Sequence, residues 1–398
     1  MFKRQPIAAL KSFDWYASWL HASRRILRNR LAACVHFISR RRDLKAALSV
    51  AGPHVLLVTN DLSQSGAPLL VFEMATLLLA DGYLPIVASP SDGPFAARFR
   101  AIGVKVLIHS SLNSSPSWLS KLACNVRWII CNTVDTAGVV SAVAHHTPTL
   151  WYLHEVSLLD DRIERAEFHR AIKTASVLWA GSELCANKLR ALRSDVAIVP
   201  YGVLPIGSPP SHAAALPLRV GVFGSIERRK GQDLAINAIG LLSDKEREMI
   251  VLTLYGRILD VDFSKTVLSQ AQALGIKYVG ELSRDAYERA MVESDAVLVS
   301  SRDDTLPLVS IDALGLGRIL LLSPQVGTAA WLQQGVNVFV APNGSSEGLA
   351  TLLRIALARM NDAQIIGAEA RRAFDANFSR DAFHRRLRAG YATLECSS

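Results

Sequence analysis

The sequence predicts an α/β protein with two doubly wound parallel domains facing a central cleft, preceded by a basic helical extension. Three observations carry this. From residue 53 onwards, short apolar, β-branched runs alternate with helix-length amphipathic stretches, the signature of parallel α/β architecture. The alternation breaks once, at GSPPSHAAALP (207–217), whose Gly, Ser, Pro and Ala content marks a linker. A chain of 398 residues is too long for one ordinary core, and 50% hydrophobic against 20% charged residues supplies apolar surface for large buried sheets.

The extension comes first, at 1–50. Residues 1–45 hold eleven Lys and Arg against Asp14 and Asp43, so this segment carries the whole net charge of +9, and the remaining 33 bases and 33 acids cancel. A neutral body argues against a nucleic-acid-binding domain. The segment has neither an apolar run long enough to span a membrane nor a secretory signal. Its aromatic and aliphatic residues, Trp15, Tyr16, Trp19 and Phe37 among them, alternate with arginines. Two readings fit: helices lying on an anionic membrane surface, or helices packed on the body with solvated arginines. The five cysteines are scattered, with no CxxC pair, which favours reduced thiols in the cytoplasm.

The first α/β domain, 51–206, has predicted strands at 54–59, 85–89, 105–108, 128–132, 149–153, 177–181 and 197–200, with helices that include 68–81 and 162–174. After the linker, the second domain, 218–375, has strands at 218–224, 249–256, 277–280, 296–301, 318–323 and 337–341. From 346 to 394 the pattern is helical, with a terminal helix and tail at 376–398. The carboxyl ends of both sheets can face one cleft, where open α/β folds bind ligands.

Candidate motifs fall at strand ends. Ser63-Gln64-Ser65-Gly66-Ala67-Pro68 follows the first strand, and Gly66 allows close backbone approach to a ligand. It is not GxGxxG, and no GxxxxGK[ST] loop occurs. Trp151-Tyr152-Leu153-His154-Glu155 ends a strand in a histidine, a hydrogen-bonding group whose ordinary pKa also permits proton transfer near neutrality; HExxH is not completed. Gly224-Ser225-Ile226-Glu227-Arg228-Arg229-Lys230-Gly231 sets three bases between two glycines, suited to a diphosphate. In AVLVSSRDDTLPLVSIDALGLG (296–317), Asp304 precedes a helix and Asp312 lies within it. The first N–H groups of that helix, at Leu308 and Val309, favour phosphate. Phosphates at one end and hydroxyls at the other describe a nucleotide sugar. Asp260-Val261-Asp262 spells a DxD triplet, but it trails a loop away from any nucleotide-binding strand end, and no metal is expected there.

In order, these motifs resemble the retaining family 4 glycosyltransferases of GT-B fold, over roughly 54–380 and most strongly over 218–345. The resemblance implies two Rossmann-like domains, an acceptor domain first and a nucleotide-sugar donor domain second. It implies that Lys230 contacts the donor diphosphate, that Asp312 accepts from ribose hydroxyls, and that Asp304 meets the transferred sugar. Ser65-Gly66 and Gly224 would give contacts to phosphate, and His154 would lie by the reacting sugar. Three positions depart from the family: its E-x7-E acids are Asp304 and Asp312, and the arginine after the first glycine of the phosphate loop is Ser225. Arg228 or Arg229 would replace that charge.

The expected activity is metal-independent, retaining transfer of a sugar from a nucleoside-diphosphate donor, a substrate rather than a cofactor. The expected acceptor is a glycan or lipid-linked sugar in cell-surface polysaccharide biosynthesis, at the inner face of a membrane. The alternatives are a catalytically degenerate GT-B nucleotide-binding protein, favoured by the three departures, and a nucleotide-sugar epimerase.

Overall fold

Each apolar run from 54 to 341 forms a strand, and all the strands pair in parallel. β1 (His54–Val58), β2 (Leu84–Ser89), β3 (Lys105–Ile108), β4 (Ile129–Asn132), β5 (Thr149–Leu153), β6 (Val177–Ala180) and β7 (Val196–Ile198) make a seven-stranded sheet in the order β3-β2-β1-β4-β5-β6-β7. β8 (Leu218–Phe223), β9 (Ile250–Tyr255), β10 (Lys277–Gly280), β11 (Ala296–Val299), β12 (Ile319–Leu322) and β13 (Phe339–Val340) make a six-stranded sheet in the order β10-β9-β8-β11-β12-β13. β1, β4, β5, β11 and β12 are buried throughout, because helices cover both faces of each sheet. Their sequences are therefore continuous apolar runs rather than alternating ones.

This computed structural model describes residues 46–114, 117–207 and 215–396. The expected basic extension, for residues 1–45, and linker residues 208–214 lie outside the described residues. Contacts divide the chain into Met1–Gly52 and Pro53–Ser398, and everything below concerns the second unit. No described helix is long and apolar enough to cross a membrane.

Two helix expectations need correction. The helix expected from Pro68 spans Gly66–Ala80; Pro68 falls at its third position, where its missing N–H still costs no intrahelical bond. The single helix expected over 162–174 is two, Ser157–Ile163 and Ala166–Thr174, with Arg165 extended between them.

Each sheet reverses its strand order once, between β1 and β4 and between β8 and β11. A crevice opens at such a point because the flanking connections leave to opposite faces, so ligands bind beyond the carboxyl ends there. The loops after β1, β4, β8 and β11 are thereby singled out.

The last helix, Arg380–Cys396, does not stay with the second domain. Phe374 and Phe378 belong to that domain's core, whereas Phe383, Leu387 and Leu394 are buried in the core of the first sheet. Tyr391 stacks on Trp128 with ring centroids 5.6 Å apart. Asp81, just past the helix Gly66–Ala80, accepts hydrogen bonds from His384 Nε2 at 2.8 Å, Tyr391 OH at 2.8 Å and the Arg388 guanidinium. Burial pushes the Asp81 carboxyl up, but the bonds from Arg388, His384 and Tyr391 outweigh it and hold its pKa at about 2. A depressed carboxylate pKa stabilises the fold fully above 3.8, its unfolded value, and the contribution disappears as pH falls through about 2. Because Arg388 is solvent-exposed, Asp81→Ala is expected to cost about 1–2 kcal/mol at pH 7. In urea melts the gap between variant and wild type should narrow below pH 4.

Candidate functional site

The second domain contributes two loops from its switch point. After β8 the chain makes a short 3-10 turn, Arg228–Lys230, and enters the helix Gln232–Gly240 through Gly231 at φ 67°. A Cβ on Gly231 would lie 2.1 Å from the Ser300 carbonyl oxygen, so only glycine lets the two loops meet. Arg302 clamps them: its guanidinium donates to both Asp233 carboxylate oxygens at 2.8 and 2.6 Å and to the Arg228 carbonyl at 2.8 Å. Lys230 Nζ is thus held 2.5 Å from Asp304 Oδ2, with the two side chains 19% and 12% exposed. Ser301 Oγ also donates to that oxygen. The Asp304 backbone is fixed by pairing with the loop after β12, through Asp304 N to the Gln325 carbonyl and Gly327 N to the Asp304 carbonyl.

The structure separates the two arginines between which the sequence did not choose. Arg229 donates to the Asp303 carbonyl at 3.0 Å and to Glu227 Oε1 at 3.3 Å, and approaches Asp304 Oδ2 to 3.8 Å. Arg228 is exposed. Ser225 Oγ donates to the same Glu227 oxygen, so Glu227 organises the loop.

Beyond Asp304 the chain turns at Pro307 into the helix Leu308–Gly315, where Leu308 and Val309 present N–H groups without intrahelical partners. Asp312 lies deeper, 5% exposed, and accepts from Tyr287 OH at 2.7 Å. Burial raises its carboxyl to about 6 against that bond, which leaves it mostly ionised at neutral pH.

From the first domain, the turn before Gly66–Ala80 faces the second domain closely: a Cβ on Gly66 would be 3.7 Å from Leu308 Cδ1. Ser65 precedes that helix, its Oγ accepting from Ser63 Oγ at 3.1 Å. His154 follows β5, with Nε2 2.8 Å from Asn132 Oδ1 at the end of β4. Gly181 makes room for the ring, since a Cβ there would be 2.8 Å from Nδ1. The expectation of a histidine titrating near neutrality is corrected: burial lowers its pKa to about 3, leaving a neutral hydrogen-bonding group with Nδ1 buried and unpartnered.

Glu155 was noted in the sequence only as a neighbour of His154. It is half-buried, its Oε2 accepting from His154 N at 2.9 Å and its Oε1 from Val134 N at 3.2 Å. It therefore joins the loops after β5 and β4. Burial raises its pKa to about 7, with the Asp135 charge adding to the rise and the N–H bonds opposing it. Beside it, Thr133 adopts φ 78°, a strained conformation for a β-branched residue, and its buried Oγ1 has no partner. If the ionised Glu155 sets this pair of loops, turnover should fall as pH drops through about 7. Glu155→Gln, which offers one acceptor oxygen in place of two, should give a lower rate with that limb gone; a pH–rate profile of both proteins checks this. Stability has the opposite sign: the contribution is full below 4.5 and lost as pH rises through about 7.

Four hydrogen bonds cross the cleft: Ser157 N at 3.0 Å and Ser157 Oγ to Asp303 Oδ2, Thr305 Oγ1 to the His154 carbonyl, and Tyr201 OH to the Leu306 carbonyl. They enclose a cavity of 160 Å³ lined by Gly66, Thr133, His154, Glu155, Asp304 and Thr305, among others. Of the residues expected from sequence, Gly66, His154 and Asp304 line it, Lys230 and Arg229 stand at Asp304, and Leu308 faces Gly66. Gly224 packs beside the Lys230 stem, where a Cβ would be 3.7 Å from Cδ. The DxD residues lie elsewhere, Asp260 capping the helix Val261–Ala273 and Asp262 pairing with Lys265.

Sequence reasoning missed Thr133, Tyr201, Thr305, Arg302 and Tyr287. Arg302 and Thr305 stood inside the stretch 296–317 already singled out, whereas Thr133 and Tyr287 had no local signal.

Two parallel sheets meeting at a cleft of basic loop, helix N-terminus and acidic pair define a GT-B, nucleotide-sugar-dependent glycosyltransferase. Residues 216–373 match the glycosyl transferases group 1 model and residues 51–204 the glycosyl-transferase family 4 model, and the chain belongs to this family. It transfers a sugar from a nucleotide-sugar donor. The Anabaena protein HepE, solved in complex with UDP-glucose, is similar at 17% identity, covering 86% of this chain and 100% of that one with TM-score 0.72. Sucrose-phosphate synthase from Thermosynechococcus elongatus is similar at 14% identity, covering 87% and 100% with TM-score 0.71. At these identities the likeness speaks for the fold. No curated protein matches the sequence.

Proposed function

We propose that the protein is a retaining hexosyltransferase in which Lys230, Arg229 and the first N–H groups of the helix Leu308–Gly315 stabilise the departing nucleoside diphosphate. The observation that carries the reading is Lys230 Nζ 2.5 Å from Asp304 Oδ2, a cation held by both switch-point loops beside a free helix N-terminus. The bond from the sugar C1 to the diphosphate oxygen breaks, its electrons stay on the diphosphate, and the cation and amides take up that charge. An acceptor hydroxyl attacks C1 from the same face and its proton passes to the leaving oxygen. Neutral His154 and Asp304 orient the sugar hydroxyls, and Asp312 holds the ribose.

The acceptor is a glycan or lipid-linked sugar of the cell surface. The basic segment 1–45 and the dispersed thiols favour a cytoplasmic protein working at the inner face of the plasma membrane. Calorimetry with UDP, GDP, ADP and TDP on wild type and Asp312→Ala tests the donor site. One nucleotide should bind wild type, at least tenfold more weakly in the variant. Binding of none by folded protein would leave a degenerate GT-B scaffold.

A further inference from the structure

Asp312, to which the proposed mechanism gives the ribose, does not have both carboxylate oxygens at its disposal. Tyr287 OH donates to Oδ2 at 2.7 Å, and no other donor among the described residues reaches this carboxylate. Oδ1 is left without a partner, yet it retains some accessible surface. Aspartate is the shortest acidic side chain, so the carboxylate stays close to its own helix and within reach of the phenol. The other carboxylate that acts on Asp312, Glu288, is itself paired with Arg284 at 2.7 Å.

The phenol is held in place by the sheet. Tyr287 lies in the helix Arg284–Glu293, which follows β10. Its ring meets Phe223 edge-on with centroids 5.5 Å apart, and Phe223 stacks on Tyr255 at 4.5 Å. Phe223 and Tyr255 are the last residues of β8 and β9. Burial, the Asp312 charge and the bond to it push the Tyr287 pKa well above its ordinary value, which keeps the hydroxyl a donor at neutral pH.

A carboxylate with both oxygens free accepts two neighbouring hydroxyls, one on each oxygen. With Oδ2 occupied, Asp312 offers one. It lies one turn beyond Leu308, about 5.4 Å along the helix, and in the proposed mechanism the N–H groups of Leu308 and Val309 face the diphosphate. On a nucleoside 5′-diphosphate the 3′ hydroxyl is closer to the phosphate along the ring than the 2′ hydroxyl, so the remaining oxygen meets the 3′ hydroxyl.

We propose that Tyr287 determines donor specificity: by occupying Asp312 Oδ2 it leaves the 2′ position of the donor's pentose unread, so that the site takes ribonucleoside and 2′-deoxyribonucleoside diphosphate sugars alike. This rests on the transferase reading and deepens it, because it widens the class of donor.

Calorimetry on the full chain tests this with UDP, GDP, ADP and 5-methyl-UDP, each beside its 2′-deoxy and 3′-deoxy analogues, and with circular dichroism on the same samples. A nucleotide that binds wild type should bind within about threefold as its 2′-deoxy analogue and about tenfold more weakly as its 3′-deoxy analogue. Tyr287→Phe frees Oδ2 and should create a preference of about tenfold for ribose over 2′-deoxyribose. Wild-type discrimination of about tenfold or more against the 2′-deoxy form, a 3′-deoxy analogue bound as well as its parent, or a folded Tyr287→Phe with the wild-type preference would each overturn the proposal. If Tyr287→Phe does not fold, the wild-type comparison decides alone. Binding of no nucleotide by folded wild type would overturn the transferase reading and this proposal with it.

Discussion

Lys230→Ala is expected to lower kcat/KM for the nucleotide-sugar donor by about 10² to 10³, the usual loss when one preorganised group facing a developing negative charge is removed. Lys230 is held in place by the Arg302 clamp and by the Gly231 turn, so little reorganisation is needed when charge moves onto the leaving diphosphate. A second cause must be separated from this. Removing the lysine also strands Asp304, which is only 12% exposed, and an orphaned carboxylate disturbs a site in its own right. The double variant Lys230→Met with Asp304→Asn removes both charges. If the lysine stabilises the transition state, the double variant stays as slow as the single one. Recovery to within a few-fold of wild type would show instead that the pair is structural.

Phe383→Ala should cost about 3–5 kcal/mol, the range for emptying a fully buried aromatic site, a large part of the 5–15 kcal/mol typical of a domain. Phe383 is 0% exposed and lies in the core of the first sheet although it comes from the last helix of the chain. The helix crosses back through Gly202, where a Cβ would lie 2.2 Å from the Ser379 carbonyl oxygen and 2.8 Å from Phe383 Cβ. Urea unfolding reads the change. A loss below about 1 kcal/mol would mean that the terminal helix adds nothing to the first domain's core.

The strands were legible because burial on both faces leaves a mark that survives without neighbours: β1, β4, β11 and β12 are unbroken apolar runs between polar turns. The site loops were legible for a related reason. Gly66, Gly224–Lys230 and Asp304 follow strands directly, and the ends of parallel strands are where backbone N–H groups and ligands meet. Helix breaks were harder, because Arg165 is an ordinary helix former and its extended backbone, between one helix that buries Leu159 and another that buries Phe168, leaves no local mark in the sequence.

The sequence by itself determined the architecture and the residue types at the cleft, since periodicity, glycines and charge runs are local properties. The tertiary structure decided which of those groups meet. It paired Lys230 with Asp304 across 74 residues and set Tyr287 on Asp312. It took His154 out of titration range by burying it, brought Arg229 rather than Arg228 to the site, and carried the last helix back to the first sheet. Each of these depends on distances between segments remote in the chain, and on a desolvation that exists only once both sheets have closed over the loops between them.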